Sequence, residues 1–385
     1  MQGERIPLLA VGDEGSRADV DPAMFALDLP EMAFDTKNTS VLGLNVTMQC
    51  PLRCDFCCYS CNPTRTERMP LDLALDLVDQ GAALGVFSSA AFTGGEPFLW
   101  WDELLATGDR LREVGMRFSV VTAAHWASER AVAEEMVGAL VDRGIYRLCM
   151  STDPSHARFV PPAFVVNAAL AAAEHGLEIQ VAGAFDDPDM TLETFVPELV
   201  GLPNSRLATR VVGTVGRGRK GARGRDVDVP LDALRCYRPV DHDFIVFWDG
   251  DVYPCCSVYN RDTEGIKVGN AYEDSVQVLW ERMEGSLLLR TMKRAGFQHL
   301  YSVLEELDPA LARRLPPLDP TRGACRLCNQ VFSDLDLARD IRNAFVAYEQ
   351  RTVDALLTSL QDEFGAGEAV DIVRSAIASD GRSTS

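Results

Sequence analysis

The sequence predicts an α/β fold: a parallel sheet with crossover helices, then a small cysteine-rich region, then a helical C-terminal segment. Three observations predict it. Short apolar runs alternate with amphipathic segments from Val41 to Val212. The rhythm stops at the Gly- and Arg-rich stretch Gly213–Gly224. Beyond it cysteines gather again, and the later periodicity is mostly helical.

The apolar runs are Val41–Thr47, Val86–Phe92, Arg117–Thr122, Ile145–Ser151, Glu178–Gly183 and Thr209–Val212. Between them Leu71–Leu84, Trp101–Val114, Ser128–Arg143, Pro162–His175 and Leu192–Leu199 carry apolar residues three or four apart, the spacing of a helix with one buried face. Alternation of this kind builds a parallel sheet with right-handed crossovers. Six strands suit a partial barrel or an open doubly wound sheet. After the Gly/Arg stretch, Phe244–Trp248 and Val252–Tyr253 flank Asp249-Gly250, a hairpin signal. A helix is expected over Asp274–Lys293, and Leu315–Pro320 marks a Pro-rich boundary. The expected divisions are an N-terminal extension at 1–40, the sheet domain at 41–215, the cysteine-rich domain at 216–330, C-terminal helices at 331–378 and a polar tail at 379–385.

A chain of 385 residues buries a core without disulfide staples. Its formal net charge of −20 repels phosphate backbones, so no nucleic-acid partner is expected. Neither a secretory signal nor an apolar run long enough to span a membrane is evident, so a cytoplasmic setting without a membrane partner is expected. Eleven cysteines in a reducing compartment point to metal binding rather than disulfides.

The first cysteine constellation is C-P-L-R-C-D-F-C, at Cys50, Cys54 and Cys57. Three thiolates can ligate three irons of a four-iron cluster and leave the fourth open to an amine and a carboxylate. The run follows the first strand, at the C-terminal end where α/β active sites form. A structural zinc site drawing on Cys58 and Cys61 is the bland alternative. One βα unit later, T-G-G-E-P at Thr93–Pro97 offers two glycines for close backbone approach and Glu96 as an acceptor for an ammonium group.

Together these motifs resemble the radical S-adenosylmethionine (SAM) superfamily. The resemblance implies a partial (β/α)6 barrel and a SAM-binding [4Fe-4S] cluster on Cys50, Cys54 and Cys57. It implies that Gly94, Gly95 and Glu96 hold the methionyl amine, that Phe56 lies near the adenine, that Ser151 is a ribose-side group and that Val212 (or Gly213) lines the adenine. A flavodoxin or ferredoxin-type electron donor is implied as a partner. Thr122-Ala123-Ala124 departs from the T-N-G of many relatives and puts the third strand's part in doubt.

The second constellation is Cys236, then Gly250 and Cys255 (C-x13-G-x4-C), then Cys325-Arg326-Leu327-Cys328. Four thiolates close a cluster completely. The D-G hairpin would gather the first pair, and a later loop the second. This resembles the Twitch or truncated SPASM domain, which implies one auxiliary [4Fe-4S] cluster beside a substrate cavity. No cysteine follows Cys328 to hold another. Cys256 can replace Cys255 as ligand, and zinc is again the alternative.

Among the remaining residues, Cys149 reads as a small core residue. Cys58 and Cys61 read as bystanders, substrate-facing thiols or extra ligands. His156, in the polar loop after the fourth strand, is the acid–base candidate, with an ordinary surface histidine as the alternative. His125 is a weaker candidate. Arg217 and Arg219 read as a solvated linker or as holders of an anionic group. The family resemblance implies oxidation, cross-linking or inversion of a ribosomally made peptide, or Twitch-type dehydrogenation of an aminocyclitol or sugar alcohol; a zinc-bound scaffold is the non-enzymatic alternative.

Overall fold

The structure is a computed structural model that describes residues 40–187, 189–220, 230–236, 243–319 and 323–372. The expected extension at 1–40, apart from Ser40, and the tail at 379–385 lie outside the described residues. The chain forms two compact units, one at Asn38–Ile341 and another described here from Arg342 to Ile372.

Six parallel strands form as expected: β1 (Ser40–Thr47), β2 (Phe87–Gly94), β3 (Arg117–Thr122), β4 (Ile145–Ser151), β5 (Glu178–Phe185) and β6 (Ser205–Val211). The intervening helices are α1 (Leu71–Leu84), α2 (Trp101–Glu113), α3 (Arg130–Val141), α4 (Pro162–Glu174) and the single turn α5 (Leu192–Phe195). Strand β6 starts four residues before the apolar run that signals it, because Ser205 and Arg206 pair with Ile179 and Gln180 at a sheet edge where polar side chains are tolerated.

Alternation along each strand decides between barrel and doubly wound sheet. Leu42, Phe92, Phe118, Leu148, Val181 and Val246 point to one face and pack with the helices in one apolar core. Burying each such side chain contributes roughly 1.5–3 kcal/mol. Asn45, Thr93, Ser119, Arg147 and Gln180 occupy the register positions of the opposite face. A doubly wound sheet would need apolar residues on both faces. This sheet has helices over one face and an inner face where polar side chains stand among small and apolar ones such as Ala91 and Phe247, so it is the partial barrel.

The sheet does not stop at residue 216. Strands β7 (Asp243–Phe247), β8 (Asp251–Tyr253) and β9 (Gly269–Asn270) extend it, and among the described residues its order is β6-β5-β4-β3-β2-β1-β7-β8-β9. Strand β7 lies parallel to β1, with Leu44 opposite Val246. The expected hairpin joins β7 to β8, and Gly250 takes φ 81° at its turn.

The helix expected over Asp274–Lys293 is two helices, α6 (Val276–Glu284) and α7 (Leu287–Arg294). The break falls at Gly285-Ser286, where the Ser286 hydroxyl accepts from the Leu289 amide at 3.3 Å and caps α7. Then come α8 (Gly296–Leu307), α9 (Pro309–Ala312), α10 (Ala324–Phe332) and α11 (Leu335–Phe364). Helix α11 carries the chain from the first unit into the second. No described helix is long and apolar enough to cross a membrane.

Candidate active site

The first cysteine loop leaves the C-terminal end of β1 and folds back beside it. The Cys50 amide donates to the Asn62 carbonyl at 3.2 Å, and the Met69 amide returns the chain to Val46 at 2.7 Å. Cys50 and Cys54 are buried and Cys57 is half-buried, within one apolar cluster with Met48, Leu52 and Ala123.

The glycines of T-G-G-E-P permit a backbone approach from within the chain. A Cβ on Gly94 would fall on the Thr47 carbonyl, and one on Gly95 on the Gln49 carbonyl. Gly94 also takes φ 138°, a conformation open to glycine. The Glu96 amide donates to the Gln49 carbonyl at 2.9 Å, so the end of β2 is pinned to the residue before Cys50. Phe98 stacks between Trp101 (5.3 Å) and Trp126 (4.5 Å) and fixes the turn beyond.

Glu96 is fully buried and spans to the third strand. Its carboxylate accepts from the Thr122 hydroxyl at 2.9 Å, the Ala123 amide at 2.8 Å and the Phe98 amide at 3.2 Å. Thr122-Ala123-Ala124, the departure from T-N-G, therefore holds the motif glutamate. Ala124 takes φ 56°, the left-handed conformation for which glycine is favoured. His125 Nδ1 lies 3.7 Å from Glu96.

The loop after β4 closes over the cysteines. Asp153 is buried and organises it: Oδ1 accepts from the Ser155 and His156 amides, and Oδ2 from the Ala184 amide. Its Oδ2 also lies 2.7 Å from His156 Nδ1. Burial pushes the His156 imidazole down, but bonds to Asp153 and to the Cys54 thiol outweigh it and hold the imidazole at about 10. His156 thus faces a cysteine of the first constellation, and its ring sits 5.6 Å from that of Phe56. The Ser155 hydroxyl receives the Asp55 amide at 2.9 Å, and Arg158 pairs with Asp55.

Arg217 is not a solvated linker residue. Its Nε donates to the Cys54 carbonyl at 2.7 Å, and its amide to the Cys57 carbonyl at 3.1 Å. Gly216 permits this, since a Cβ there would fall on the Cys57 and Cys58 carbonyls. Ser151 ends β4 on the inner face, opposite Ala182, and Val212 is buried just past β6.

The thiols differ sharply. The Cys61 thiol hydrogen-bonds to Cys57 and pulls it down to about 6, while Cys61 itself is pushed up. Burial pushes Cys50 and Cys58 up to about 12. Cys61, at 2 % exposure, is packed in the same apolar cluster as the motif cysteines. Cys149 is not in the helix-facing core. It lies on the inner face opposite Val121 and Gln180, because Leu148 and Met150 take the core positions on either side of it.

The second constellation surrounds a cavity of about 50 Å³ lined by Cys236, Cys255, Cys325 and Cys328. Cys236 is set by its amide, which donates to the Met292 carbonyl at 3.0 Å. Cys255 follows the hairpin, whose turn is braced by Arg261 on Asp249 (2.7 Å) and Asp251 (2.9 Å). Cys325 and Cys328 lie three apart on α10 rather than on a loop, so one helix face presents both. Burial pushes Cys255 and Cys328 well up, and neighbouring thiols push the same way. Cys256 is exposed and does not line the cavity, unlike Cys255.

Among the described residues no three His, Cys, Asp or Glu side chains converge on a point that would hold a single metal ion. Ligands of an iron–sulfur cluster instead stand around a body of irons and sulfides. Four half-buried thiols around one hollow have the donor chemistry for that group.

Residues 44–151 match the family model described as the radical SAM superfamily, and residues 236–297 match the iron–sulfur cluster-binding domain SPASM. The chain is 23% identical over 311 residues to the putative peptide biosynthesis protein YydG of Bacillus subtilis (strain 168), covering 77% of this chain and 92% of that one. Among solved structures it is similar to BtrN in complex with AdoMet and 2-DOIA (15% identity, 69% of this chain and 89% of that one, TM-score 0.43). It is also similar to Streptococcus suis SuiB bound to S-adenosylmethionine (15%, 63% and 66%, TM-score 0.46).

Proposed function

From the premise that this chain belongs to the radical SAM superfamily and carries an iron–sulfur SPASM domain, we propose that it matures a ribosomally made peptide by cross-linking or another oxidation. Radical SAM chemistry on a peptide or small-molecule substrate is the activity of the chain. The narrower reading rests on its similarity to a protein named for peptide biosynthesis, 92% of which it covers.

The cofactors, when bound, would supply radical chemistry at a substrate carbon–hydrogen bond. Cys50, Cys54 and Cys57 would hold the SAM cluster, and Cys236, Cys255, Cys325 and Cys328 one auxiliary [4Fe-4S] cluster. Gly94, Gly95 and Glu96 would receive the methionyl amine: Glu96 Oε2 keeps a lone pair beyond its bond from Ala123. Phe56, Ser151 and Val212 would border the nucleoside. His156, bonded to Asp153 and Cys54, would orient the Cys54 sulfur, a role beside the acid–base one its loop position predicts. The external electron would come from a flavodoxin or ferredoxin-type donor.

The observation that carries the radical SAM class is the pairing of the three-cysteine loop with a separate four-cysteine cavity. A single auxiliary set, with no cysteine after Cys328, favours as second reading a dehydrogenase of an aminocyclitol or sugar alcohol. Anaerobic reconstitution followed by dithionite and SAM tests the class. Release of 5′-deoxyadenosine, abolished in C50A/C54A/C57A, supports it; unchanged release from that variant overturns it. Mass spectrometry with precursor peptides and with aminocyclitols then decides between substrates.

A further inference from the structure

The turn after β6 grips the first cysteine loop. Gly216–Lys220 forms a short 3₁₀ helix. A Cβ on Gly216 would fall on the Cys57 and Cys58 carbonyls, and one on Gly218 would stand 3.5 Å from the Phe56 backbone. Between these glycines Arg217 donates from its amide to the Cys57 carbonyl and from Nε to the Cys54 carbonyl. Its Nη2 is buried and has no hydrogen-bond partner among the described residues. Two neutral carbonyls are no counter-charge. The carboxylates of the same loops are engaged elsewhere: Asp55 pairs with Arg158, and Glu96 accepts from Thr122, Ala123 and Phe98. A guanidinium nitrogen turned from water is costly unless negative charge faces it. An arginine cannot shed its proton to escape that cost.

We propose that Arg217 is the charge-compensating residue of the first cluster, its free Nη2 serving the side carried by Cys54 and Cys57 and its charge easing reduction. This rests on the reading that Cys50, Cys54 and Cys57 ligate a cluster. Three thiolates leave a four-iron cluster net negative before reduction and more so after it. A cation beside two of the ligands therefore stabilises the reduced form more than the oxidised one and raises the midpoint. The electron comes from the external donor, and the guanidinium keeps its protons throughout.

The test is an EPR-monitored redox titration of the full reconstituted chain without SAM; the signal that C50A/C54A/C57A lacks belongs to the first cluster. R217Q removes the charge and keeps a polar donor. It is expected to retain iron and to lower the midpoint by the equivalent of a roughly tenfold smaller reduced-to-oxidised ratio at fixed potential, about 59 mV for one electron. R217K keeps the charge and should lie between R217Q and the parent; a midpoint as low as that of R217Q overturns the assignment. A loaded R217Q cluster at the parental midpoint or above also overturns it, because an arginine that only braces the loop would change iron retention and leave the potential alone. Weaker SAM binding in equilibrium dialysis, with an unchanged midpoint, overturns it too and makes Nη2 a holder of the SAM carboxylate. If R217Q does not retain iron, R217K decides: iron held near the parental midpoint supports the assignment, and lost iron or a distant midpoint overturns it. A parental chain with no signal beyond that of C50A/C54A/C57A overturns the cluster reading itself, and the proposal with it.

Discussion

The hydroxyl of Tyr59 donates to Asn260 Oδ1 at 3.2 Å and joins the two cysteine loops. Tyr59 lies two residues after Cys57, and the Asn260 side-chain amide donates to the Cys255 carbonyl at 3.1 Å. Tyr59 also meets Phe247 edge-on at 5.4 Å, on the inner face of β7. The two sites are therefore not independent modules on one chain. A shift in either loop is felt by the other through one buried side chain.

That link predicts an asymmetry. Y59F removes one donor and leaves Asn260 Oδ1 with the Arg261 amide, so it should cost about 0.5–1.5 kcal/mol. N260A also deprives the Cys255 carbonyl of its donor in a fully buried setting, and should cost about 1–3 kcal/mol more than an exposed substitution. Denaturant unfolding of the apo-protein measures both. Equal costs for the two variants would mean that Asn260 is not the hub.

Arg217 gives a second prediction. Its guanidinium holds the Cys54 carbonyl from a residue 163 positions away. R217A should leave the sheet intact by circular dichroism but release iron faster from the first site under chelator challenge. R217K should fall between, since an ammonium cannot reproduce the planar donor geometry. Iron loss equal to that of the parent would reduce Arg217 to a surface contact.

Much of the fold was legible because its signals are local. Helix bounds such as Leu71–Leu84 and strand bounds such as Ile145–Ser151 follow from periodicity over a dozen residues or fewer. The cysteine spacings are local too. Cys149 was open to a correct reading, since strand alternation gives Leu148 and Met150 to the core and leaves Cys149 on the other face. What sequence could not supply was long-range pairing. Nothing near Arg217 points to Cys54, and nothing near Thr122 to Glu96. The sheet's continuation through β7 was hidden for the same reason: its partner β1 lies some two hundred residues earlier.

His156 provides a prediction that separates two roles. If it supports the Cys54 sulfur, H156Q should diminish 5′-deoxyadenosine release and change the EPR signal of the reduced SAM cluster. D153N should follow in the same direction, because Asp153 sets the imidazole through Nδ1. If His156 instead moves a substrate proton, H156Q should leave SAM cleavage and the signal intact and stop only product formation.

The last prediction concerns the glycine pair. The Gln49 carbonyl lies where a Gly95 side chain would begin, so G95A cannot be absorbed by a rotamer change. Either the strand end or the cysteine loop must move, and each movement breaks the bond from the Glu96 amide to Gln49. A cost above about 2 kcal/mol is expected, in the range of buried backbone clashes. Because the displaced segment runs straight into Cys50, iron at the first site should fall with stability, while the C-terminal four-cysteine site keeps its metal. Thermal melting together with iron counts in G95A and in G95A/C325A/C328A reads both effects. Retention of parental stability and iron in G95A would show that Gly95 is there for a ligand alone and not for the chain's own backbone.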